Sequence, residues 1–167
     1  MIVAVSTQKM IEFYEGNIHD IDHFLKVWAM ARTIGKLEGL DGHTQEILEL
    51  AAVVHDIACP LCREKYGNTD GKHQEAESPA LIEEFFEGLP VGRPDVERVS
   101  WLVAHHHTYT NISGQDHQIL LEADFLVNAS ESGYARSAIE NFRERVFRTA
   151  AGKEILDSMY LKCEKKI

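Results

Sequence analysis

The spacing of apolar side chains along the chain is that of helices. His23, Val27, Met30, Ile34 and Leu37 fall at offsets of four, three, four and three within His19 to Glu38, which lines up one face of an α-helix. Val96, Val99, Val103 and His106 repeat that interval after Pro94-Asp95, and Leu120, Asp124 and Val127 repeat it again. Shorter helical patterns cover Ser6 to Glu15, with Ser6 as N-cap, and Glu75 to Glu87, with Ser78-Pro79 in the first turn. Tyr134 to Phe147 and Thr149 to Leu161 predict two more helices. Gly39 to Gly42, Gly88 to Pro94 and Asn111 to Asp116 read as turns. Cys59-Pro60-Leu61-Cys62 reads as a helix stop, and Arg63 to Lys72 as a loop with at most one helical turn. The pattern predicts an all-α fold, a single-domain helical bundle over residues 1–167.

The most apolar of these segments, His43 to Ile57, ends in an adjacent imidazole and carboxylate, His55-Asp56. A carboxylate at the end of a buried helix needs a partner, because a lone buried charge is costly and is normally paired or metal-bound. Asp124 poses the same problem among Leu120, Leu121, Phe125, Leu126 and Val127. His23 continues the apolar stripe of its own helix. The run His105-His106-His107 turns at least one ring inward, and His106 is the one on the stripe. His19, His43 and His117 read as facing water.

Composition narrows the chemistry. With 17 Lys and Arg against 27 Asp and Glu the chain carries a net charge of −10 and no basic run, which disfavours binding to a nucleic-acid polymer. No apolar run approaches the roughly 20 residues that span a bilayer, so no membrane partner is expected. Three cysteines, Cys59, Cys62 and Cys163, are too few for a disulfide framework, and the N-terminus lacks a secretory layout, so a cytoplasmic location is expected. Cys59 and Cys62 have no second pair to complete a zinc site and read as structural. Oligomeric state stays open, a homo-oligomer included.

Read together, His23, His55-Asp56 and Asp124 set imidazoles and carboxylates at apolar-face positions of three helices, in the order H, HD, D. This order resembles the HD superfamily of metal-dependent phosphohydrolases, over nearly the whole stretch from His23 to about Ser132. The resemblance implies an HD-type bundle with its metal-site core at about 19–132 and C-terminal helices at 134–165. It also implies a divalent metal ion, of a kind (Fe, Mn, Mg, Co, Ni or Zn) left undetermined, held by His23, His55, Asp56 and Asp124. Many relatives carry a second ion, bridged by the HD aspartate and held by further histidines. Here the candidates are His105 and His106 from the later run, and His73 or Glu77 near Ser78-Pro79, where relatives have a His-Gly-Pro segment. Thr108-Tyr109-Thr110-Asn111 stands where the cyclic-dinucleotide branch has Gly-Tyr-Pro, so that substrate is not assigned.

The implied reaction is metal-assisted hydrolysis of a phosphate ester or anhydride, with a small phosphorylated substrate, foremost a nucleotide. Asp56 would bind the ion and orient the attacking water, while His106 and the loop cation Lys65, with Arg63 and Lys72 nearby, would steady the phosphate or the departing oxyanion. A di-iron oxygenase of the same superfamily and a non-catalytic ligand-sensing module are the alternatives.

Overall fold

A computed structural model describes residues 1–162; Cys163 and the end of the last predicted helix region lie outside the described residues. The described residues form α-helices and no strand, so the fold is all-α as the periodicity predicts. In chain order they are α1 (Ile2–Tyr14), α2 (Ile18–Leu37), α3 (Gly42–Val54), α4 (Cys59–Tyr66), α5 (Gly71–Phe86), α6 (Arg93–Val103), α7 (Gly114–Glu131), α8 (Arg136–Arg145) and α9 (Ala150–Leu156). A π-helical turn, Asp157–Leu161, follows α9 directly. No described helix is long and apolar enough to cross a membrane.

The bundle is built around α3. Leu48 and Leu50 to Val54 are buried on every side, and α3 packs against α1, α2, α6 and α7. A helix apolar around its whole circumference has to be enclosed in this way. Its one buried acid, Glu49, accepts hydrogen bonds from Trp28 Nε1 (3.0 Å), Gln45 Nε2 (2.9 Å) and Arg32 Nη1 (2.9 Å), which joins α3 to α2. Asp41 caps the start of α3 by accepting from the backbone N–H groups of His43 and Thr44.

Several local expectations change in the folded chain. α1 begins at Ile2, so Ser6 is an interior, buried residue of the helix and not its N-cap. Leu37, expected on the apolar face of α2, is exposed at its end. The segment after Pro60 is not a loop: Pro60 sits in the first turn of α4, where a missing N–H costs nothing. The next helix, α5, starts at Gly71 under an Asp70 cap and carries Pro79 in its interior. Pro79 cannot bond back to the Glu75 carbonyl, and the Ser78 hydroxyl lies 3.5 Å from that oxygen instead. His117 is buried and not solvent-facing, because α7 begins at Gly114 and turns that ring inward: its Nε2 lies 3.0 Å from the His105 carbonyl and its Nδ1 accepts from Ser113 N–H.

One carboxylate gathers several of the ties between the C-terminal helices and the core. Glu122, fully buried on α7, accepts from the backbone N–H of Arg148 (2.7 Å) and Thr149 (3.0 Å), from Gln118 Nε2 (2.7 Å) and from the Thr149 hydroxyl. Gly152 lies against the same group, and a Cβ there would overlap Glu122 Oε2. Replacing Glu122 with alanine strands the buried Thr149 backbone donor, at about 1–3 kcal/mol, and removes the partner of the part-buried Arg148 donor, so the expected loss is about 3 kcal/mol. Urea denaturation checks this, with the midpoint falling and the slope unchanged.

Candidate metal centre

The centre forms where α3 stops. A helix continued through residue 60 would set Pro60 against the Asp56 carbonyl, and the chain turns at His55 to Ala58 before α4 begins. The freed Asp56 carbonyl accepts from Cys59 N–H (2.9 Å) and from the Tyr14 hydroxyl of α1 (2.9 Å). His55 and Asp56 are therefore held from both sides, the ring fully buried and the carboxylate facing a cavity.

Four side chains from two helices, α2 and α7, and this turn meet there. His23 Nε2 lies 3.2 Å from His55 Nε2 and 3.4 Å from both Asp56 Oδ2 and Asp124 Oδ1. His55 Nε2 lies 3.6 Å from Asp56 Oδ2 and 3.5 Å from Asp124 Oδ1. Donors each about 2.1 Å from one ion lie about 3.0 Å apart at a right angle and about 3.4 Å apart at the tetrahedral angle, so this spacing fits a shared cation.

The hydrogen bonds behind these atoms set their chemistry. His55 Nδ1 donates to the Ala52 carbonyl (2.8 Å), His106 Nδ1 to the Val103 carbonyl (2.7 Å), and His23 Nδ1 to the Glu131 carboxylate (2.7 Å). With Nδ1 carrying the proton, a neutral ring presents its Nε2 lone pair inward, the form a metal takes. Two such lone pairs 3.2 Å apart, at His23 and His55, require a proton or a cation between them. Asn128 Nδ2 donates to Asp124 Oδ1 (2.8 Å) and fixes the second carboxylate.

A second group of donors shares Asp56. His106 Nε2 lies 3.4 Å from Asp56 Oδ1, the oxygen opposite the one facing His23 and His55, and His107 completes a trio with them. The Nε2 atoms of His106 and His107 are buried without a hydrogen-bond partner, an expensive condition that an inserted cation relieves. Close packing holds His107 in place: a Cβ on Gly71, at the start of α5, would come within 2.7 Å of its ring. Glu75 fixes the same run by accepting from His107 N–H (3.1 Å) and the Thr108 hydroxyl (2.9 Å).

Electrostatics follow from this crowding. Burial acts to raise the Asp56 and Asp124 pKa values, but the neighbouring imidazoles overcome it and hold both carboxylates well below the usual range. For His23, burial works downward and is outweighed by Asp124, Asp56 and Glu131, which raise its pKa to about 9. His107 goes the other way, to about 4, through burial and the nearby His106. Tyr109, at the cavity wall, is pushed up to about 12 by burial and then by Asp124, so its hydroxyl keeps its proton.

The remaining sequence candidates are not brought to this cavity. The ring of His105 stacks on Trp101 at 4.1 Å and its Nδ1 faces the Trp101 carbonyl. His73 stacks on Tyr66 at 3.9 Å. Glu77 accepts from Lys65 Nζ (2.6 Å) and the Tyr66 hydroxyl (2.5 Å), which also occupies Lys65 on the protein surface. Arg63 does reach the cavity, where Asp20 holds it by two hydrogen bonds of 2.7 and 2.9 Å. Of the run His105 to His107, which the sequence left open, the structure brings His106 and His107 to the centre; Asn128, Glu131 and Tyr14 are additions to the sequence candidates. Asn128 and Glu131 had a signal, since they follow Asp124 by four and seven residues on one helix face. Tyr14 and the pairing of His107 with Gly71 had none.

A family model described as HD domain matches residues 20–146, and the chain belongs to the HD domain family, a superfamily of metal-dependent hydrolases. No curated protein and no solved structure matches the chain.

Glu131 orients His23 from behind, and its replacement by glutamine is expected to weaken divalent-metal affinity by about 10- to 100-fold, measured by metal titration of the purified protein. Loading a cation displaces the proton that His23 carries below a pKa of about 9, so affinity is expected to fall as pH is lowered from 9 to 7. Calorimetry in buffers of different ionisation enthalpy reads that proton release directly.

Proposed function

We propose that the protein is a metal-dependent phosphohydrolase that cleaves a phosphate ester or anhydride of a small phosphorylated metabolite, foremost a nucleotide. The observation that carries this reading is the placement of Asp56, whose two carboxylate oxygens face two separate sets of imidazoles at the wall of one cavity. His23, His55, Asp56 Oδ2 and Asp124 would hold one divalent cation, and Asp56 Oδ1, His106 and His107 a second. Cations held there supply Lewis acidity, making water nucleophilic near neutral pH and taking up the negative charge of a phosphoryl group.

The chain's own residues supply position and proton handling. Tyr14 and Cys59 N–H fix the Asp56 backbone, so its carboxylate is aimed before substrate arrives. Asp56 orients the attacking water by accepting a hydrogen bond from it. Asn128 and Glu131 keep Asp124 and His23 from turning away. The cavity of about 320 Å³ is of the size that takes a small metabolite, and its walls come from α2, α4, α5, α7 and the connections beside them.

Replacing Asp56 with asparagine is expected to lower kcat/KM by about a thousandfold on whichever phosphate compound the wild type cleaves, and to lower bound metal as well. Elemental analysis of both proteins, with a phosphatase and phosphodiesterase substrate panel, checks it. Full metal content together with full turnover in that variant would overturn the reading.

A further inference from the structure

The cavity beside the centre is lined by more than metal-ligand candidates, and the charge of those walls restricts what can enter. Asp20, Asp56, Asp124 and Glu131 face it with Arg63, whose guanidinium is already held by Asp20. Among the described residues no lysine lines it; Lys26 at the rim is bound to Glu131 and Lys65 to Glu77. Four carboxylates against one guanidinium leave the lining three charges negative with its imidazoles neutral. One divalent cation reduces that to one negative charge, and two turn it to one positive. Charge sufficient for one phosphoryl group is available only at the centre itself, and a second or third phosphate would meet carboxylates.

The same walls carry one buried acceptor that has no partner. Gln74 is buried, its Nε2 donates to the Thr69 carbonyl (2.9 Å), and its Oε1 has no hydrogen-bond partner. Turning the amide over would set two oxygens together at Thr69, so Oε1 is the free end. A free buried acceptor calls for a donor such as a hydroxyl and repels a phosphate oxygen.

Two half-exposed aromatic rings complete the opening. Tyr109 meets Phe142 edge to face at 5.0 Å, and Tyr134 meets Phe125 at 5.7 Å. Phe125 and Phe142 are themselves stacked at 3.7 Å, so both tyrosines are fixed from behind on one aromatic stack while other faces remain at the cavity. Rings held in this way are ready platforms for a flat group.

We propose that this site takes a phosphate monoester bearing one uncharged, hydroxylated group with a flat aromatic face, a nucleoside 5′-monophosphate by chemical class, and disfavours polyphosphates. The proposal deepens the hydrolase reading and rests on it for the place of the phosphate. Tyr109 and Tyr134 hold the flat face, Gln74 Oε1 accepts from a hydroxyl, and the carboxylates exclude further phosphate.

The test uses the full-length, metal-loaded protein with two readouts. Calorimetry follows binding of a nucleoside, its 5′-monophosphate and a non-hydrolysable methylene analogue of its 5′-diphosphate, and phosphate release follows turnover of the monophosphate, the diphosphate and glycerol phosphate. The monophosphate is expected to bind and turn over at least about tenfold better than the diphosphate series and than glycerol phosphate. Tyr109→Leu with Tyr134→Leu is expected to weaken nucleoside and monophosphate binding about tenfold, with metal content unchanged. Ser132→Lys, which adds a cation at the cavity rim, is expected to narrow the gap between monophosphate and diphosphate. Preference for the diphosphate, or nucleoside affinity unchanged in the double tyrosine variant, overturns the proposal while leaving the hydrolase reading intact. Monophosphate bound with the predicted selectivity but never cleaved overturns the hydrolase reading and supports this one.

Discussion

The structure depends on the burial of two carboxylates and three imidazoles at one helix junction. Asp56 and Asp124 are taken into a region where an isolated negative charge would not survive, and His23, His55 and His106 make their ionisation tolerable. Each ring has its outer nitrogen committed to a carbonyl or carboxylate, so every inward nitrogen is free to act as a lone-pair donor. A set of donors that repel one another unless something positive sits between them is stable in a fold only when a proton or cation is part of it.

The scaffold meets that demand by surrounding it with ordinary packing. α3 is enclosed on all sides, and its end is fixed by the proline that follows and by Tyr14 from α1. α2 and α7 pack against it and each contribute one member of the group, His23 and Asp124, and α7 also carries Glu131 and Asn128, which orient them. The start of α5 closes the other side against His107, where only glycine fits at residue 71. Rigidity around the centre thus comes from apolar burial and helix ends, while the polar groups are confined to the one place where they satisfy each other.

The acidic character of the chain has its local counterpart in the cavity. Among the described residues the site presents carboxylates, the Gln74 acceptor and tyrosine faces, and commits its one guanidinium to an acid, which leaves the centre itself as the anchor for an anion. Selectivity then arises from what the walls lack as much as from what they offer. The expectation that Lys65 would steady phosphate fails to find geometric support for the same reason, since that lysine is already neutralised by Glu77 on the surface.

Periodicity and local chemistry alone determined the helical class, the interior place of α3, and the ordered His23, His55-Asp56 and Asp124 set, because each is a property of one helix face and its neighbours in sequence. The tertiary structure decided the rest. It chose His106 and His107 over His105, because the chain turns after Val103 and directs successive rings to different sides. It drew Asp20 to Arg63, 43 residues away, and Glu131 to His23, 108 residues away. It made a helix of Cys59 to Tyr66 and lodged Pro79 inside α5, where packing outweighs the local preference against proline. Contacts between distant segments are set by how helices pack, and a pattern read along one helix carries no record of which side chain on another will meet it.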